Sequence, residues 1–97
     1  MKKLLVSLLL LALPASAGKM KEISIMATES VEAAMGINPD FMQITDQRLV
    51  TVEGMDLAVQ TKVFVTVPWR DGKQEWTCLT QFVKTPQFFD VLKTNCH

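Results

Sequence analysis

The sequence predicts an α+β domain: an N-terminal helix packed on a three-stranded antiparallel sheet, with a short C-terminal helix tied down by one disulfide. Three observations predict it. Apolar residues recur at steps of three and four between Met20 and Ala34. They alternate from Ala58 to Val67 and again from Gln74 to Val83. Two cysteines, Cys78 and Cys96, stand in the second half of the chain, ready to form one bridge. A repeat near 3.6 residues gives a helix one apolar face, and a repeat of two does the same for a strand.

The first element to account for is a leader. The chain opens Met1-Lys2-Lys3, runs apolar from Leu4 to Leu13 with only Ser7 polar, and continues Pro14-Ala15-Ser16-Ala17. A basic start, an apolar run of ten and small residues at Ala15 and Ala17 match a secretory signal peptide over 1–17, cleaved before Gly18. Pro14 suits the extended stretch that a signal peptidase holds. The competing reading is a membrane anchor, but a spanning helix needs about 20 apolar residues. The stretch 4–17 is only fourteen residues long, with Ser7, Pro14 and Ser16 inside it, and no cysteine follows it to carry a lipid. Removing 17 of the 97 residues leaves 18–97 as a single small exported domain, periplasmic or extracellular, with no stable membrane anchor after processing. Loss of Lys2 and Lys3 leaves 8 basic against 10 acidic side chains, a balance of −2. That charge gives no electrostatic reason to expect nucleic acid or an anionic membrane surface as a partner.

The first helix is expected over roughly 20–35. Met20, Ile23, Met26, Ala27, Val31 and Ala34 form its apolar stripe, with Lys21, Glu22, Glu29 and Glu32 mostly opposite. Gly36 sits where a C-terminal capping glycine belongs, and Asn38-Pro39-Asp40 turns the chain. Ile23-Ser24-Ile25 also alternates like a strand, and Thr28-Glu29 offers a later helix start. Next, Leu49-Val50-Thr51-Val52 reads as a β-branched strand ending at the Glu53-Gly54 turn. Val59, Thr61, Val63, Val65 and Val67 then share one strand face. After Pro68-Trp69-Arg70 the pair Asp71-Gly72 marks a hairpin turn, because both residues tolerate positive φ. The return strand places Trp76, Cys78, Thr80 and Phe82 together. At Thr85-Pro86 a threonine N-cap followed by proline suggests a helix start, and Phe88, Val91 and Leu92 fit a short helix near 86–94.

Export decides how the cysteines are read. In an oxidising compartment a lone pair is most simply a disulfide, and Cys78 with Cys96 permits one intramolecular pairing. A metal site built from Cys78, Cys96 and His97 would need a further ligand, and His97 is the single histidine. No metal and no cofactor is expected. Met20, Met26, Met35, Met42 and Met55 could in principle serve copper(I), but Met20 and Met26 fall on the helix stripe and the others are dispersed, so core packing is favoured.

Catalytic ingredients are few. Nucleophilic catalysis needs a base beside Ser, Thr or Cys, and the single histidine is the last residue. Gly18, Gly36, Gly54 and Gly72 are spread at even intervals through turns and termini, so no glycine-rich phosphate loop is present. Scattered Asp and Glu leave a small carboxylate-based hydrolase as one alternative, although solvated surface charge explains them more simply. The expectation is a non-catalytic protein that binds a protein partner. Its recognition site is placed at Pro68, Trp69 and Arg70, where an aromatic and a guanidinium ride on a stiff hairpin. The other reading of Trp69 folds it back over the sheet edge as part of the core.

Val52-Glu53-Gly54 in one hairpin and Pro68-Trp69 in the next, beside a helix and an antiparallel sheet, resemble the cystatin-type protease inhibitors over most of residues 18–97. The resemblance implies a helix wrapped by a sheet and, as an alternative function, inhibition of an extracytoplasmic hydrolase. The hairpins are consecutive here, which places their turns at opposite ends of the sheet, and Val50 stands where that family carries its glutamine.

Overall fold

The computed structural model describes residues 14–70 and 72–97; the side chains of residues 14–17, 68 and 69 lie outside that description. Among the described residues a helix, α1 (Pro14–Met35), crosses one face of a four-stranded antiparallel sheet. The strands are β1 (Met42–Val50), β2 (Leu57–Trp69), β3 (Lys73–Lys84) and β4 (Phe89–Cys96), in the spatial order β1-β2-β3-β4.

The helix begins earlier than its apolar stripe suggests. Proline lacks an N–H that a first helical turn cannot use anyway, so Pro14 is a suitable first residue. Ile23, Ala27, Val31 and Met35, each four residues apart, are buried against the sheet. The strand-like triplet resolves as helix: Ile23 points inward while Ile25, on the far side, is 48% exposed. Ala34, placed on the stripe by the sequence, is exposed, and Met35 takes the inner position. At the end, Gly36 adopts φ +72° and donates its N–H to the Glu32 carbonyl at 3.0 Å, the left-handed cap that a residue without Cβ accepts most readily. The Asn38 side chain then accepts from the Asp40 N–H at 2.9 Å and starts a single 3₁₀ turn, Pro39–Phe41.

The expected three-stranded sheet and C-terminal helix are both corrected. The chain after Pro86 is the fourth strand, and the disulfide joins β4 to β3 rather than anchoring a helix. The Thr85-Pro86 signal is real but closes a hairpin. The Thr85 hydroxyl accepts from the Phe88 N–H at 3.0 Å, and the Thr85 N–H donates to the Phe88 carbonyl at 3.0 Å. The helical look of Val91-Leu92 comes from a bulge: Phe82 pairs with Val91 and Gln81 with Lys93, which leaves Leu92 as the extra residue. A nine-residue helix is marginal alone, whereas a strand here satisfies the free backbone edge of β3. Cys78 and Cys96 lie directly opposite, Cα atoms 4.0 Å apart. The next pair, Thr77 and His97, exchanges two backbone hydrogen bonds, so the cysteines occupy the closely spaced non-hydrogen-bonded position.

The core between helix and sheet is divided. Val31, Met35, Val63, Val65, Trp76 and Cys78 form one cluster, with Ile37, Met42 and Cys96 packed against it. Ile23, Ala27, Val59 and Phe82 form the other, flanked by Met26, Leu49, Leu57, Phe88, Phe89 and Val91. Between them runs a polar belt. The Ser24 hydroxyl donates to the Gln47 side-chain oxygen Oε1. The Gln47 amide donates to Thr28 at 3.2 Å and to fully buried Thr61 at 3.1 Å. On the β4 side, Thr94 donates to fully buried Thr80 at 2.9 Å and shares a hydrogen bond with Ser30. A buried hydroxyl without a partner costs about 1–3 kcal/mol, so the belt fixes how the helix sits along the sheet. Gln47→Leu strips an amide from three hydroxyls and is expected to cost about 1–3 kcal/mol, read as a lower urea midpoint with unchanged slope.

Candidate functional site at the hairpin tip

One end of the sheet gathers the C-terminal end of α1, the Pro39–Phe41 turn, the start of β1 and the β2–β3 tip. The register shows why. Met42 pairs with Val65, which brings the 3₁₀ turn alongside the last residues of β2. The Thr66 hydroxyl donates to the Phe41 carbonyl at 3.3 Å and holds the two segments together. Between β2 and β3 the pairing jumps from Phe64–Glu75 to Trp69–Lys73, so residues 65–68 bulge out of the ladder. The Gln74 amide fills part of the gap by donating to the Val65 carbonyl at 3.2 Å.

This bulge separates core from surface within two residues. Val65 is fully buried, whereas Val67 is 43% exposed and Phe41, on the adjoining turn, is 45% exposed. Arg70 is exposed and adopts φ +44°, a left-handed conformation that costs a residue with a Cβ about 1–2 kcal/mol. Its carbonyl accepts the Lys73 N–H at 3.2 Å, closing the turn, and Gly72 sits at φ +75°. The backbones of Pro68 and Trp69 complete β2. Their side chains, and Asp71 of the expected Asp-Gly turn, lie outside the described residues.

The other sequence-derived sites fall elsewhere. Cys78 and Cys96 are joined, and Cys78 is fully buried. Ala15, Ala17 and Gly18 lie in the first turns of α1, before Ile23 packs at the β1–β2 end of the sheet, and Gly18 is exposed. Residues 1–13 of the expected leader 1–17 lie outside the described residues. The Val52-Glu53-Gly54 turn, with the Met55 N–H on the Val52 carbonyl at 3.1 Å, stands at the opposite end of β2 from Trp69. Thirteen residues of strand separate them, about 40 Å at the usual rise. The two turns therefore do not form one continuous edge.

The described carboxylates are spread over separate elements. Asp46 pairs with Arg48 at 2.9 Å, and Asp56 accepts the Lys84 N–H at 2.9 Å. Among the described residues no group of three or more His, Cys, Asp or Glu side chains could hold a metal. Phe41 was not legible as a neighbour of the tip, because the Met42–Val65 register brings it there, and Val67, expected on the valine face, is exposed by the bulge beyond Val65. No family model, curated protein or solved structure matches the chain.

Proposed function

We propose that this chain is a small exported, non-catalytic protein that binds a protein partner through the tip end of its sheet. The observation that carries the reading is the convergence there of exposed Phe41, exposed Val67 and exposed Arg70 beside Pro68-Trp69. Apolar anchors next to an arginine, carried on a 3₁₀ turn and a strand bulge that the Thr66–Phe41 hydrogen bond ties together, suit a protein surface. Export is supported by the leader sequence, by the Cys78–Cys96 bridge and by the finding that no described helix is long and apolar enough to cross a membrane. Cleavage before Gly18 would trim the helix at the end remote from the tip, leaving the recognition end intact.

Two measurements test this. Intact mass of the exported protein is expected to lack the first 17 residues; an uncut chain extracted from membranes contradicts export as a processed protein. Affinity capture from periplasmic extract with the disulfide-bonded protein is expected to retain one partner. Phe41→Ala is expected to weaken that capture by about 1–2 kcal/mol. Leu92→Ala, exposed on the β4 bulge, is expected to leave it unchanged. Equal retention by both variants contradicts a tip-end site.

A further inference from the structure

β4 closes one side of the sheet, and alternate residues along it turn their backbone groups outward. Thr77 and His97 exchange two hydrogen bonds, so the neighbouring Cys96 points its N–H and C=O away from β3. Counting back along the strand and past the Leu92 bulge, the same holds for Thr94, Val91 and Phe89. Leu92 itself is 58% exposed, the most exposed large apolar side chain among the described residues. Asp90 and Lys93 flank it, paired with Val83 and Gln81 on the face turned from the helix. Both are exposed, and neither is in an ion pair with a described residue. The other edge differs. On β1, Asp46 and Arg48 pair with each other, and Met42 donates its N–H to the Pro39 carbonyl.

We propose that β4 is the interface for a second copy of this chain, joined edge to edge and antiparallel about a two-fold axis at the bulge. One register uses every outward group: Val91 opposite Thr94 of the second copy, and Phe89 opposite its Cys96. Symmetry repeats both pairs, so the contact closes as a dimer. The bulges then face each other, which sets Leu92 beside Leu92 of the second copy and takes both out of water. Lys93 lies diagonally across from Asp90 of the second copy, a spacing that a long side chain spans, and this pair occurs twice. On the helix face, α1 brings Ser30 over the edge strand, bonded to Thr94, with exposed Ala33 one turn on; a second helix meets small side chains there. The Cys78–Cys96 bridge fixes β4 on β3, so the edge is ordered before it pairs. A contact one strand wide belongs to the weak, reversible class, below about 1,200 Å². It is separate from the tip contacts, so it can fail without the partner reading failing.

The test is sedimentation of the disulfide-bonded protein between about 10 μM and 1 mM. A reversible shift from one chain to two is expected, with the Val91 and Thr94 amides exchanging more slowly as the dimer forms. Lys93→Glu is expected to weaken association about tenfold, because it sets like charges across the two strands. Asp90→Lys should do the same, and the two changes together should restore association to within about threefold. Leu92→Asn is also expected to weaken it about tenfold. A monomer throughout this range, a dimer indifferent to all three single changes, or a charge exchange that restores nothing would overturn the proposal. So would a dimer broken by Arg48→Glu and not by Lys93→Glu, which places the contact on β1.

Discussion

Phe82→Ala is expected to destabilise the protein by about 3–5 kcal/mol, the cost of removing a large aromatic from a filled core and leaving a void. Phe82 is 1% exposed and sits where β3 meets the helix, among Ile23, Ala27 and Val59. Its cross-strand partners are Leu57 on β2 and Val91 on β4, so one ring supports three strands and the helix. A domain of this size has about 5–15 kcal/mol in total, and each kcal/mol corresponds to about 4–8 °C of melting temperature. The melting temperature should therefore fall by at least about 12 °C. A fall of only a few degrees would mean that Phe82 is not at the centre of the second cluster.

Reduction of the Cys78–Cys96 bridge is expected to cost about 3 kcal/mol, the loop-closure value for cysteines about this far apart in the chain. The residues are 18 positions apart. β4 is an edge strand, bulged at Leu92 and held at its far end by the Thr77–His97 hydrogen-bond pair. Loss of the bridge should act there first, as faster amide exchange over β4 than over β2. Cys78 is fully buried, so reductant should act slowly on the folded protein. Two alkylatable thiols in the native, unreduced protein would contradict the bridge.

The parts of the fold legible in the sequence were those governed by local periodicity. The helix stripe at Ile23, Ala27 and Val31, the Gly36 cap, and the alternation in β2 and β3 all follow from side-chain spacing alone. The last strand was not legible, because Thr85-Pro86 satisfies a helix start and a hairpin turn equally, and the Leu92 bulge breaks the period of two. What decided it was non-local: the open edge of β3 and the register of Cys78 against Cys96. Thr61 and Thr80 were visible as hydroxyls on apolar strand faces, but their partners Gln47 and Thr94 come from other strands. At the candidate site, Pro68, Trp69 and Arg70 stood out by residue type. Phe41 did not, since only the β1–β2 register brings it there, and Val67 was expected on the valine face until the bulge exposed it.

Recognition by the tip is the central claim, and Trp69→Ala tests it most directly when thermal melting and partner capture are measured on the same sample. Partner affinity is expected to weaken by about 2 kcal/mol or more with the melting temperature nearly unchanged. A loss of about 3–5 kcal/mol in stability, the penalty for emptying a core position, would contradict it and place Trp69 in the body of the fold.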